Sequence, residues 1–343
     1  MSDIDIRIEG RAGRITLNRP KALNAMTYDM CRAIEAAIDT WRDDDAVSLV
    51  LFDATGDKAF CAGGDIAELY ATGTKGDFAY GQTFWRDEYR LNAKIFEYPK
   101  PVVSLMQGFT MGGGVGLGCH GSHRVVGETS QIAMPECGIG LVPDVGGSLM
   151  LALAPGRLGE YLGTTGTRMG PADAIYAGFA DTYVTQDRWG ELTRALVETG
   201  DTDCIAKAAT PAPDGTLQGL QTQIDAYFCG ETLTDVINTL THRTSDFADG
   251  ALKSLKRAAP LSAACTIEIV HRLRISTLTI RKALEMEYRF THRAIEHGDF
   301  LEGIRAQIID KDRNPAWRYA DGAVPLIAVS RMLLPLGPDT LTF

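Results

Sequence analysis

The stretch from Gly108 to Gly147, GFTMGGGVGLGCHGSHRVVGETSQIAMPECGIGLVPDVGG, constrains the fold more than any other part of the chain. It follows PVVSLMQG (101–108), an apolar run opened by a proline, which is tolerated at the first residue of a strand. Gly112–Gly114, three consecutive glycines, then mark a turn into a helix. Glycine reaches backbone conformations closed to other residues, and a helix start leaves N–H groups unpaired at the positive end of its dipole. Two carboxylates, Glu136 and Asp144, flank a GIGLVP turn. Backbone donors beside an acid pair suggest an oxyanion hole next to groups capable of proton transfer or nucleophilic attack, hence acyl chemistry.

The segments on either side fix the class. IDIRI (4–8) and GRITLN (13–18) alternate polar and apolar residues and read as a hairpin. Met30, Ile34, Ala37, Ile38 and Trp41 recur at helical spacing, with Thr27 placed to cap the helix. VSLVLF (47–52) has the unbroken apolar character of a buried strand. A second glycine pair, Gly63-Gly64, precedes Asp65, which reads as the cap of the helix that follows. Residues 77–97 carry Phe84, Leu91, Ile95 and Phe96 at helical spacing, and Glu88 on that segment reads most simply as a solvated helix residue. HRVVG (123–127) and QIAM (131–134) read as short strands, as does FADTYV (179–184). From about 186 the pattern is almost wholly helical, broken most clearly at TPAPDG (210–215). Alternating strands and helices followed by helices alone define an α/β core with a helical C-terminal part. The expected division is 1–200 for the core and 201–343 for the helical region.

Gly116, Gly118 and Gly121 spell GxGxxG, with Glu136 twenty residues after Gly116. A dinucleotide fingerprint has this form, but its glycines directly follow a strand and open the helix. Here the strand ends near Gly108 and the helix opens at Gly112–Gly114, so the later glycines fall inside the helix. Close packing against a neighbour explains them better than a nucleotide does.

Composition removes further classes. Hydrophobic content of 45% and charged content of 23% are those of a globular protein, and a net charge of −10 argues against a nucleic-acid partner. Seven scattered cysteines with no CxxC read as free thiols of a reducing compartment. His120 and His123 are three apart, yet no further ligand lies near them, so capping or packing is favoured over a metal site. MSDIDIRIEG has neither the basic nor the apolar region of a signal peptide, and no uncharged apolar run has the length of a membrane span; a cytoplasmic protein without membrane partners is expected.

AFCAGGDI (59–66), PKPVVSLMQGFTMGGGVGLG (99–118) and AMPECGIGLVPDVGG (133–147) together resemble the enoyl-CoA hydratase/isomerase, or crotonase, superfamily. FWRDEYRLN (84–92), MGGGVGL followed by HG, IGLVPDVGG, MEYR (286–289) and DFLEGIRAQIIDKDRNPAW (299–317) are similar to its 3-hydroxyisobutyryl-CoA hydrolase branch, so the resemblance reaches almost the whole chain. It implies a crotonase-like ββα spiral core with a helical C-terminal region. It implies an acyl-CoA substrate, with coenzyme A entering as part of that substrate and no metal or other cofactor.

The resemblance also assigns roles. The amides of Gly64 and Gly113 are the oxyanion donors. Glu88, Gly113, Glu136 and Asp144 surround the acyl group. Coenzyme A lies along Lys21, Ala22 and Asn24 and along Ala62, Gly63, Gly64, Asp65 and Ile66, mostly on backbone atoms. Hydratases of the superfamily carry a first catalytic glutamate three residues after the oxyanion-hole glycine; here that position is Gly116. Only the second acid, Glu136, is kept, and Asp144 stands where hydratases usually have glycine. The departure favours hydrolysis of a short 3-hydroxyacyl-CoA, with 3-hydroxyisobutyryl-CoA of valine catabolism the best single substrate. An enoyl-CoA hydratase or isomerase and a non-catalytic acyl-CoA-binding protein are the alternatives. Homo-oligomers are an option: the superfamily often forms trimers and their dimers, although this branch differs at its C-terminal region.

Overall fold

The structure is a computed structural model and describes residues 2–320 and 322–343. Among the described residues nine strands form two sheets, and the way the chain shares its strands between them is the key to the fold. They are β1 (Ile4–Glu9), β2 (Ala12–Leu17), β3 (Leu49–Ala54), β4 (Ala59–Cys61), β5 (Val102–Met106), β6 (Phe109–Met111), β7 (His123–Val126), β8 (Gln131–Ala133) and β9 (Thr182–Tyr183). The larger sheet has the order β1-β2-β3-β5-β7-β9 and the smaller β4-β6-β8. After the antiparallel β1–β2 hairpin every pairing is parallel.

In each successive pair, β3–β4, β5–β6 and β7–β8, the first strand joins the larger sheet and the second the smaller. This is the expected ββα repeat. The apolar run 101–108 supplies β5, and β6 is a separate strand just beyond Gly108 that the sequence pattern does not announce. Gly108 is the switch: its φ is +57°, and a Cβ there would lie 2.2 Å from the Lys58 carbonyl oxygen. Only glycine accepts both the conformation and the approach.

The chain forms two compact units, each built from separated segments. The first takes residues up to Asp65, Arg90–Ala133 and Arg168–Gln218; the second takes Ile66–Tyr89, Met134–Thr167 and Gly219–Phe343. Neither ends at residue 200.

Both sheets belong to the first unit. Leu49, Leu51, Val103, Leu105 and Val125 form a buried cluster with Leu192 and Leu196 of the helix Trp189–Thr199 and Ile205 of the helix Asp203–Ala208. The apolar run of 47–52 is the interior strand it resembled. The helix Tyr28–Trp41 begins as expected, with Thr27 accepting a hydrogen bond from the Met30 amide.

The second unit is helical. Pro260–Arg274 is buried around most of its circumference, the sign of a central helix. It packs against Gly147–Leu153, Leu158–Thr165, Ile280–His297 and Leu326–Met332. Among the described residues no helix is long and apolar enough to cross a membrane.

Candidate active site

In the first unit the two glycine turns are neighbours. Parallel pairing sets Cys61 of β4 beside Thr110 of β6. A Cβ on Gly114 would come within 2.1 Å of the Cys61 carbonyl oxygen, and one on Gly63 within 3.6 Å of that of Met111. The helix Gly113–Gly118 starts after Gly112, so the Gly113 amide is among those with no carbonyl inside the helix to accept it. Of the GxGxxG glycines, Gly118 abuts the Met106 and Phe60 side chains and Gly121 the Val102 carbonyl, which is close packing rather than a phosphate cradle.

The segment proposed for coenzyme A is also assembled there. Lys21 and Ala22 are exposed on the short helical turn Pro20–Ala22. The Ala62 amide donates to Leu23 (3.0 Å), the Met26 amide to Gly63 (2.9 Å) and the Asp65 amide to Met26 (2.8 Å), which ties the two stretches together. Asn24 is a joint of this fold: its amide donates to the Thr55 and Ala59 carbonyls and its oxygen accepts from the Arg19 amide. Its side chain is therefore committed. The helix that follows Asp65, Ala67–Gly73, starts after Ile66, and the Asp65 carboxylate pairs with Arg19 at 3.0 Å. His120 and His123 are not on one helix face. The His120 ring meets Phe96 edge-on, and His123 Nδ1 lies 2.9 Å from Ser122 Oγ.

The second unit gathers the acids. Glu88, Glu136, Asp144 and Glu287 are all buried, and among the described residues no ion pair involves any of them. Glu160 shows what a structural carboxylate looks like in the same unit. It is equally buried, but Arg157, Arg274 and His271 converge on it and hold it below the ordinary glutamate range. The other four have no such neutralisation.

Burial drives Glu88 and Glu136 well above the ordinary carboxylate range, with the nearby Asp144 charge as the next cause. Burial also raises Asp144, to about 7, against the opposing hydrogen bond from Tyr89. Asp144 is the hub, since its charge is felt by Glu88, Tyr89, Glu136 and Glu287. Glu88, read from sequence as solvated, is 2% exposed.

Tyr89, which the sequence reading did not assign, donates its hydroxyl to Asp144 Oδ2 at 2.7 Å and lies 3.3 Å from Thr291 Oγ1. Tyr288 braces it edge-on, ring centroids 6.1 Å apart. Glu136 begins the helical turn Glu136–Ile139, and its buried Oε2 accepts no hydrogen bond from the described residues. Asp144 opens a tight turn in which the Gly147 amide donates back to its carbonyl at 2.7 Å. The central residues, Val145 and Gly146, have φ of +54° and +83°. For a β-branched residue this left-handed conformation costs about 1–2 kcal/mol and persists only where the surroundings hold it.

These carboxyls give stability a particular pH dependence. Asp144 at about 7 and Glu287 at about 8 lie above their ordinary 3.8 and 4.5. A group raised on folding contributes fully below its unfolded pKa, and that contribution is lost as pH climbs through the folded value. From pH 5 to 8 the protein is therefore expected to lose on the order of a few kcal/mol, seen as a falling thermal midpoint, with Asp144→Asn flattening part of the slope. A midpoint that rises across this window contradicts the assignment.

A β-sheet pair built by ββα repeats with glycine amides at one set of strand ends defines the crotonase-like class of fold. The family model for enoyl-CoA hydratase/isomerase matches residues 12–327, and the chain belongs to that family. The 3-hydroxyisobutyryl-CoA hydrolases named as mitochondrial are similar throughout. The one from Xenopus tropicalis is 39% identical, covering 90% of this chain and 82% of its own, and that from Gallus gallus is 35% identical, covering 93% and 85%. Among solved structures, an enoyl-CoA hydratase from Rhodobacter sphaeroides 2.4.1 is 58% identical with a TM-score of 0.96 over the whole of both chains. A carnitinyl-CoA dehydratase from Mycobacterium thermoresistibile is 40% identical with a TM-score of 0.95, covering 100% of this chain and 99% of its own.

Proposed function

We propose that the protein hydrolyses short 3-hydroxyacyl-CoA thioesters, with 3-hydroxyisobutyryl-CoA the best single substrate, releasing 3-hydroxyisobutyrate and coenzyme A. The observation that carries this reading is the Glu136–Asp144 pair, buried without a cation, in a chain that has Gly116 where hydratases of the family carry their first glutamate. Adding water across a double bond uses two acids working from separate positions; attack on a thioester carbonyl uses one activated oxygen and a place for the developing charge. The relatives named as 3-hydroxyisobutyryl-CoA hydrolases support the same reading over nearly the full length.

In this mechanism the Gly64 and Gly113 amides donate hydrogen bonds to the carbonyl oxygen as it gains charge. Each such donor is worth about 10²–10³ in rate. Glu136 acts in one of two ways. As nucleophile, its oxygen bonds to the carbonyl carbon, the carbon–sulfur bond breaks with departure of the thiolate, and water cleaves the resulting mixed anhydride. As general base, it takes the proton of a water that attacks the carbon directly. Both routes return the enzyme and give one carboxylic acid and one thiol for each water consumed. Thiolate is a good leaving group, so the site needs no strong acid, and neither route calls on a metal or redox group.

The carboxyls of Glu136 and Asp144 titrate as a pair. The active form has one proton between them, which leaves Glu136 ionised when Asp144 holds the proton. Glu88 contacts the acyl hydroxyl, and coenzyme A lies along 21–24 and 62–66.

A free-thiol assay across short acyl-CoA esters tests the proposal. Branched and linear 3-hydroxy esters are expected to release thiol faster than their unsubstituted counterparts. The 58% identity to a structure solved as an enoyl-CoA hydratase favours a second reading, hydration. Loss of enoyl absorbance from crotonyl-CoA with no thiol released would establish that reading instead. Binding of the esters with neither change would mark an acyl-CoA-binding protein.

A further inference from the structure

Among the described residues, Glu287 is the one buried acid of the second unit that neither the mechanism nor an ion pair accounts for. It lies on the helix Ile280–His297 and is fully buried. Its Oε2 accepts from the Gly146 amide at 2.8 Å. Its Oε1 accepts from the Ser148 amide at 3.0 Å and from the Ser148 hydroxyl. Three donors of one short turn thus converge on one carboxyl.

That turn is the strained one. Asp144 opens it, and Val145 holds a left-handed conformation in its middle. Side-chain packing alone gives a β-branched residue no reason to stay there, whereas fixing the amides on both sides of it leaves the intervening backbone little choice. The same helix supplies Tyr288 and Thr291, the neighbours of the Tyr89 ring and hydroxyl. One helix therefore fixes both partners of the Tyr89–Asp144 hydrogen bond, the turn through Glu287 and the tyrosine through the two residues that follow.

We propose that Glu287 is a positioning residue, whose carboxyl clamps the Asp144–Ser148 turn so that the Asp144 side chain meets the Tyr89 hydroxyl. It touches no substrate and acts only through Asp144. Its kinetic consequence rests on the hydrolase reading; its structural consequence does not.

Glu287→Gln keeps the size of the side chain but sets an N–H against one of the turn's own N–H groups. In an active wild type, kcat is expected to fall about 10- to 100-fold, the order seen when a reacting group is displaced by about 1 Å, with KM within about threefold. Placing the same change in an Asp144→Asn background separates positioning from general damage. Residues acting as one unit are not additive, so E287Q should then alter the residual kcat less than about twofold. Full additivity, or an unchanged kcat in the single variant, overturns the proposal.

Should E287Q fail to fold, Ser148→Ala removes one donor and is run through the same cycle. A loss of about 3- to 10-fold that disappears in D144N supports the clamp; no loss, or an additive one, overturns it. If wild-type protein releases no thiol from any ester, the hydrolase reading fails by itself. A crystal structure of the variant that folds then decides the clamp. Departure of Val145 from positive φ with loss of the Tyr89–Asp144 contact supports it, and an unchanged turn overturns it.

Discussion

Glu136→Gln is expected to abolish thiol release, lowering kcat by about 10³-fold or more, while binding of the CoA ester measured by calorimetry stays within a few-fold of wild type. Gln matches the shape of Glu but neither attacks a carbonyl nor accepts a proton at neutral pH. The substitution should not harm the fold. Glu136 is raised by burial and by the Asp144 charge, so a neutral group at this place removes an ionisation that the folded state disfavours. Loss of turnover with the thermal midpoint kept or raised is therefore the diagnostic combination. Retained turnover removes Glu136 from the mechanism and, with it, the main reason for reading the site as hydrolytic.

Asp144→Asn is expected to lower kcat by about 10²–10³-fold, the usual scale for a group that shares proton work. The Tyr89 hydroxyl can still donate to the Asn oxygen, so the turn is kept. A second effect has a definite sign. The Asp144 charge is a cause of the upward push on Glu136, and without it Glu136 ionises more readily. The residual activity should then persist to lower pH than that of the wild type. A wild-type rate in D144N, or an acid limb that moves upward, shows that the two carboxyls are not coupled in the reaction.

Much of the fold was legible in the sequence because its longer elements have strong periods. The hairpin and the Thr27-capped helix form where the pattern placed them, and the buried strand expected at 47–52 forms two residues on, at Leu49–Ala54. The smaller sheet was not legible as a sheet. β4, β6 and β8 have three residues each, too few to display an alternation, and what sets β6 apart from β5 is a single backbone torsion at Gly108.

Asp65 shows a different limit. Its position before a helical turn suits a cap, and nothing in that local pattern announces the ion pair it makes with Arg19, forty-six residues away. Glu88, a charged residue that suggests a solvated face, is buried because of its helical phase. Phe84, Glu88, Leu91 and Ile95 share one helical stripe, and all four are buried. An acid on an apolar stripe was the available signal. Glu287 carries the same one, in line with Ala283, Leu284, Phe290, Thr291 and Ala294 of its helix. The Tyr89–Asp144 bond joins residues 55 apart in the chain and leaves no trace in local pattern.

The order of the small sheet bears on how such a chain changes over time. β4 ends three residues before Gly64, β6 two before Gly113 and β8 three before Glu136. Gly64, Gly113 and Glu136 thus each follow a three-residue strand of their own, and the repeats that carry these strands are joined by helices and long connections. A substitution just beyond one strand end leaves the other two repeats and their pairings intact. An ancestor could lose an acid at one end and acquire another elsewhere through single, separately tolerable steps. A chain built on this plan can exchange a group beside one strand end without rebuilding its framework.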